Sequence, residues 1–95
     1  MNPKIKIVSE VYNAVGADVK SIFKKFNNTK ELRAFEITVG LLNEKTLTPA
    51  MSFSNIAAYF KIDINLVDAA YHRFKHKYQY NYRFRAQCNN IYKNL

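Results

Sequence analysis

Glycine and proline are almost missing from this chain, each occurring twice in 95 residues. A hairpin-dense β fold needs such residues at its turns, so their scarcity favours helices with few irregular connections. Tryptophan is absent and cysteine occurs once, as Cys88. A lone thiol forms no internal disulfide, which makes a reducing, cytoplasmic setting the expectation. No apolar run approaches the roughly 20 residues of a bilayer span, and Pro3-Lys4-Ile5-Lys6 does not open a secretory signal, so no membrane partner is expected. Gly16 and Gly40 are too far apart for a phosphate-binding glycine loop. The seven carboxylates show no convincing pairing, and no Cys-His or Ser-His-Asp arrangement is present. The expectation is a protein that is not an enzyme and carries no cofactor.

Negative charge also runs out along the chain. Residues 1–60 hold eight basic and five acidic side chains, residues 61–95 seven basic and two acidic, and none after Asp68 is a carboxylate. With a net charge of +8, such a one-signed surface attracts polyanions by counterion release. Hydrophobic residues make up 48% of the chain, including seven Phe and seven Tyr, enough for one small core and one domain over 1–95.

Helical periodicity covers most of the chain. Asn2-Pro3 starts a helix in which Ile5, Val8, Val11, Tyr12 and Val15 recur, with Gly16 suited to its C-terminal cap. Asp18 caps a short second helix with Val19, Ile22, Phe23 and Phe26 inward. After the loop at 27–29, Asn28 and Glu31 resemble a capping box. A third helix follows, burying Leu32, Phe35, Val39 and Leu42, with Ile37 and Leu41 widening the stripe. Gly40 costs that helix about 1 kcal/mol relative to alanine, which suggests a site of close helix approach. Residues 46–51 form a loop marked by Thr48-Pro49. A last helix over 82–95 repeats Phe84, Cys88, Ile91 and Leu95.

Residues 52–74, SFSNIAAYFKIDINLVDAAYHRF, form the most informative stretch. Ser52 or Ser54 can cap a short helix with Phe53, Ile56, Ala57 and Phe60 on its apolar side. Lys61-Ile62-Asp63 breaks the pattern, and Asp63 caps a second helix with Val67, Ala70, Tyr71, Phe74 and Tyr78 on one face. Two helices joined by a turn of about three or four residues, in a small basic protein, read as a helix-turn-helix over 52–78.

That stretch resembles the C-terminal DNA-binding domain of DnaA, the bacterial replication initiator, whose pattern is similar to SLxEIGxxFGxRDHTTVxxAxxKI. Without a gap, Ser52, Phe53, Ile56, Phe60, Asp63, Val67, Ala70 and Phe74 fall on its framework positions. Downstream, Asn81 takes an acidic position, followed in register by Phe84, Ile91 and Leu95. Upstream, residues 30–44 resemble the helix that bears the motif RPRQ, with Arg33 at its first arginine, and earlier helices fit 4–15 and 19–26. The resemblance implies a compact all-α domain of about six helices, Trp-repressor-like in type, lacking the ATPase module. It implies duplex DNA as partner, in regulation of transcription or replication and with nucleoid association, and it places the corner around Arg33 against DNA. Three features depart from the family. DHTT is replaced by Asp63-Ile64-Asn65-Leu66, Phe35 stands at the second arginine of RPRQ, and the stretch 45–51 is about three residues longer than its counterpart.

Helix-turn-helix geometry makes Ile64, Asn65 and Asp68 the candidate base contacts: Asn65 for adenine, Ile64 for a thymine methyl, Asp68 for a cytosine amino group. Asp68 also repels phosphate. Candidate phosphate contacts are Lys30, Arg33, Lys61, Arg73, Lys75 and Lys77. The bland alternatives are a solvated Asn65, an Ile64 that closes the core, and charges that only solvate helix faces. His72 and His76 lie four apart, a spacing able to hold a metal, but without a nearby third ligand a surface pair is the better reading. Two rival partners stand beside duplex DNA: a protein bound by a scaffold that lost DNA reading, and single-stranded nucleic acid stacked on Tyr78, Tyr80 and Tyr82.

Overall fold

The computed structural model describes residues 3–19, 29–44 and 50–95. These residues form five helices and no strand: α1 (Pro3–Val15), α2 (Thr29–Asn43), α3 (Phe53–Phe60), α4 (Ile64–Tyr80) and α5 (Tyr82–Lys93). The all-α expectation holds. The helix expected over 19–26, the Asn28 capping box and the Thr48-Pro49 loop marker lie outside the described residues, apart from Val19.

Local chemistry accounts for the boundaries. Gly16, at φ 80°, ends α1 in the left-handed region, and the N–H groups of Gly16 and Ala17 both donate to the Tyr12 carbonyl. Of the two serines, Ser52 is the cap of α3, its Oγ accepting from the Asn55 N–H at 3.2 Å. This frame turns Ile56 and Phe60 into the core. Asp63 Oδ1 accepts from the Asn65 N–H at 2.8 Å and starts α4. Asn81 Oδ1 does the same for α5 through the Phe84 N–H at 3.1 Å, so α4 and α5 are separated by one residue.

α2 sits at the centre. A one-sided stripe was expected there; instead every residue from Ala34 to Leu42 is buried, Glu36 and Thr38 included. The physical reason is its neighbours, since α1, α3 and α4 all pack on it and leave no solvent face over that span. Beyond its end, the Met51 N–H donates to the Leu42 carbonyl and the Asn43 side-chain amide donates to the Met51 carbonyl. These two bonds pin the entry to α3 against α2. α5 closes the domain with Phe84, Cys88 and Ile91, packed on α4 and α1.

The close approach expected at Gly40 is real, and Phe74 of α4 is what approaches. A Cβ built on Gly40 would overlap the Phe74 ring. Phe74 in turn stacks edge-on to Phe84 and lies tilted against Tyr78 and Tyr71. It cannot simply move away.

Two consequences are measurable. Gly40→Ala should lower stability by about 1–3 kcal/mol, because overpacking outweighs the gain in helix propensity. Adding Phe74→Leu should cost less than the two single changes combined, as a double-mutant cycle of thermal unfolding would show. Cys88, 1% exposed and with its thiol pushed up by burial to about 12, should resist disulfide reagents at neutral pH and react once the protein is denatured.

Candidate nucleic-acid interface

α3 and α4 meet at a three-residue turn over residues 61–63. Lys61 occupies the left-handed region at φ 57°, ψ 47°, a conformation that costs a non-glycine residue steric strain. The Ile62 N–H reaches back to the Ala57 carbonyl at 3.0 Å, and the Lys61 N–H to Ala58 at 3.3 Å. This is a Schellman-type closure with half-buried Ile62 as its apolar anchor. Lys61 therefore projects from the turn, exposed, immediately before α4.

α4 buries Val67, Ala70 and Phe74. Its helical period turns Asn65, Ala69, His72 and His76 to the opposite, exposed side. Ile64 and Leu66 stand at 44% and 48% exposure at the start of the helix, so Ile64 does not close the core. Asp68 Oδ1 lies 3.2 Å from His72 Nε2, one turn on, which gives the carboxylate a local partner. Ring contact with Tyr80 engages His76, and among the described residues no group of three or more metal-ligating side chains gathers.

Both flanks of α4 carry the cations expected at phosphates, and there the structure adds something the sequence did not reveal. Glu36 of α2, fully buried, accepts from Arg73 Nε at 2.5 Å through Oε2 and from Lys77 Nζ at 2.6 Å through Oε1. On the other flank Glu44 Oε1 accepts from the Tyr71 hydroxyl at 2.6 Å and from Lys75 Nζ at 3.3 Å. Burial first, then the bond donated to Glu44, raises the Tyr71 phenol; the same carboxylate raises Lys75. Glu36 and Glu44 are eight residues apart, about 12 Å along a helix, close to a helix's own diameter. With Gly40 against Phe74 midway between them, α2 runs across α4 and grips it from both sides.

Three of the six expected phosphate contacts are thus partly neutralised within the fold. Arg73 and Lys77 keep side-chain exposures of 41% and 36%, so neither cation is enclosed by the fold. Lys30, Arg33 and Lys61 are exposed and form no ion pair among the described residues. Arg33 lies about one turn before Glu36 on α2, on the helix side that Glu36 shares. Along α4, Asn65 and Arg73 are separated by about 12 Å, the width of a DNA major groove.

No protein-family model matches the chain, and no curated protein or solved structure matches it either.

The Glu36 clamp predicts an asymmetry. Replacing both Arg73 and Lys77 by methionine strands a buried carboxylate and should cost about 3–5 kcal/mol in denaturant unfolding. Glu36→Gln frees two half-exposed cations that can turn to water, so its cost should be smaller, about 1–3 kcal/mol.

Proposed function

We propose that the protein is a non-catalytic duplex-DNA-binding protein in which α3, the turn and α4 act as a helix-turn-helix on a scaffold like the DnaA C-terminal domain. The observation that carries this reading is the first two turns of α4. They start from the Asp63 cap with Ile64, Asn65, Asp68, Ala69 and His72 all exposed and unoccupied by the rest of the fold. A helix that buries only one narrow stripe there leaves its N-terminal side chains free to enter a major groove.

In this reading Asn65 reads adenine, Ile64 meets a thymine methyl, and Asp68 selects against bases that offer no amino donor. Lys61, at the turn, meets one phosphate strand. Arg33, Lys30 and the outer edge of the Arg73 and Lys77 cluster meet the other. Lys75 is held by Glu44 and contributes less. Regulation of transcription or replication, in the cytoplasm at the nucleoid, is the setting that suits such an activity.

A second reading has its own support. Exposed Ile64 and Leu66 beside Asp68, together with Tyr80 and Tyr82 at the α4–α5 corner, are side chains that protein interfaces use. It is separated from the first by the same experiment.

The test is retention of a random duplex pool across a salt series, followed by sequencing of the bound fraction. A recovered motif that Asn65→Ala weakens is the expected result, and no retention even at low salt overturns the proposal. Lys61→Gly is the cleanest charge variant, because glycine suits φ 57° and should hold or raise the melting temperature. It should nonetheless weaken binding uniformly across sequences and reduce the salt slope by about 1.

A further inference from the structure

A cavity of about 370 Å³ opens between α2, α4 and α5, and neither Asn65 nor His72 lines it. Its size lies within the roughly 300–1,000 Å³ of small-molecule sites. Leu41, Phe74 and Cys88 form a floor that is almost wholly buried. The Cys88 thiol, pushed up by burial to about 12, stays protonated at neutral pH and leaves that floor uncharged. Tyr78 and Tyr92 supply aromatic walls.

The polar rim offers donors. Lys75 Nζ spends one of its three protons on Glu44 and keeps a side chain 58% exposed. Asn89 accepts the Tyr78 hydroxyl through Oδ1 at 2.7 Å, which leaves its Nδ2 protons directed elsewhere. Glu44, the one carboxylate among the lining residues, is engaged by Tyr71 and Lys75. One turn from Asn89 on α5, Arg85 adds positive charge while bonding the Tyr78 and Gln79 carbonyls. Apolar floor, aromatic walls and a cationic donor rim select for a flat apolar body that carries an anion.

We propose that this cavity binds a small aromatic carboxylate, its ring against Phe74, Tyr78 and Tyr92 and its carboxylate on Lys75 Nζ and Asn89 Nδ2. Apart from Lys75, this site shares no residue with the proposed DNA contacts, and its test needs no nucleic acid. A primary amine of the same shape would meet only donors and a carboxylate already in use. A neutral amide would keep the apolar contacts and lose the charge-assisted bond.

Calorimetric titration of the whole protein with 2-naphthoate, 2-naphthamide and 2-naphthylmethylamine tests the assignment. Saturable binding is expected for 2-naphthoate, at least about tenfold weaker for the amide, with no measurable heat from the amine. Lys75→Met should weaken 2-naphthoate by about tenfold or more, the loss of one charge-assisted hydrogen bond. Asn89→Phe, a change at an exposed position, should fill the mouth and abolish binding while circular dichroism stays unchanged. Amide-resonance shifts at Leu41, Cys88 and Tyr92 should place the probe in the cavity. Binding of the amine as tight as that of the carboxylate would overturn the proposal. So would an absence of 2-naphthoate binding, or binding indifferent to both variants, which would mark only the general attraction of a cationic protein for anions.

Discussion

The buried carboxylate of Glu36 is the constraint around which the domain is organised. An ionised group with no exposure must find strong partners, and Arg73 and Lys77 of α4 supply them from the surface side. The two cations lie 37 and 41 residues downstream, so the pairing is made only when α2 and α4 cross in one register. Gly40 makes that crossing possible by letting Phe74 sit against bare backbone. Glu44 repeats the grip on the opposite flank through Tyr71 and Lys75. The clamp adds little net stability beyond what apolar residues of the same volume could give, but a slipped register would leave a charge buried alone, which is far more costly.

The same pairing reshapes the electrostatics. A sequence with fifteen basic and seven acidic residues looks uniformly attractive to polyanions. In the fold, part of that excess is spent internally, and the cations without an ion pair among the described residues include Lys61 at the turn and Lys30 and Arg33 at the start of α2. They stand in two places along the chain, the turn before α4 and the start of α2.

Some of the fold was legible in the sequence because it rests on local rules. Asp63, Gly16 and Ser52, one of the two serines read as a cap, act within a few residues of where they stand, and the apolar spacing of Phe84, Cys88 and Ile91 turns directly into one buried face. Gly40 was legible too, since an unfavourable residue in a helix interior suggests a compensating contact. Ile64, Asn65 and Asp68 are exposed as read, their exposure following from the period of α4. Glu36 and Glu44 escaped notice because a carboxylate at a helical position normally faces water, and only complete enclosure of α2 puts Glu36 inside. A hint was present: Glu36 lies beside Phe35 and Ile37 in a ten-residue stretch with no other charge.

The sequence by itself determined that these segments are helices, to within a few residues where they begin and end, and which single face of α3, α4 and α5 is buried. Those properties depend on hydrogen bonds and side-chain periodicity spanning one or two turns, so neighbouring residues suffice to specify them. Tertiary structure alone decided that α2 is buried all round over Ala34–Leu42 and that Arg73 and Lys77 answer to Glu36. It also decided that Leu41, Phe74 and Cys88 share a cavity floor. Each of these is a relation between residues far apart along the chain, set by how helices cross, and no local pattern encodes the angle or register of a crossing.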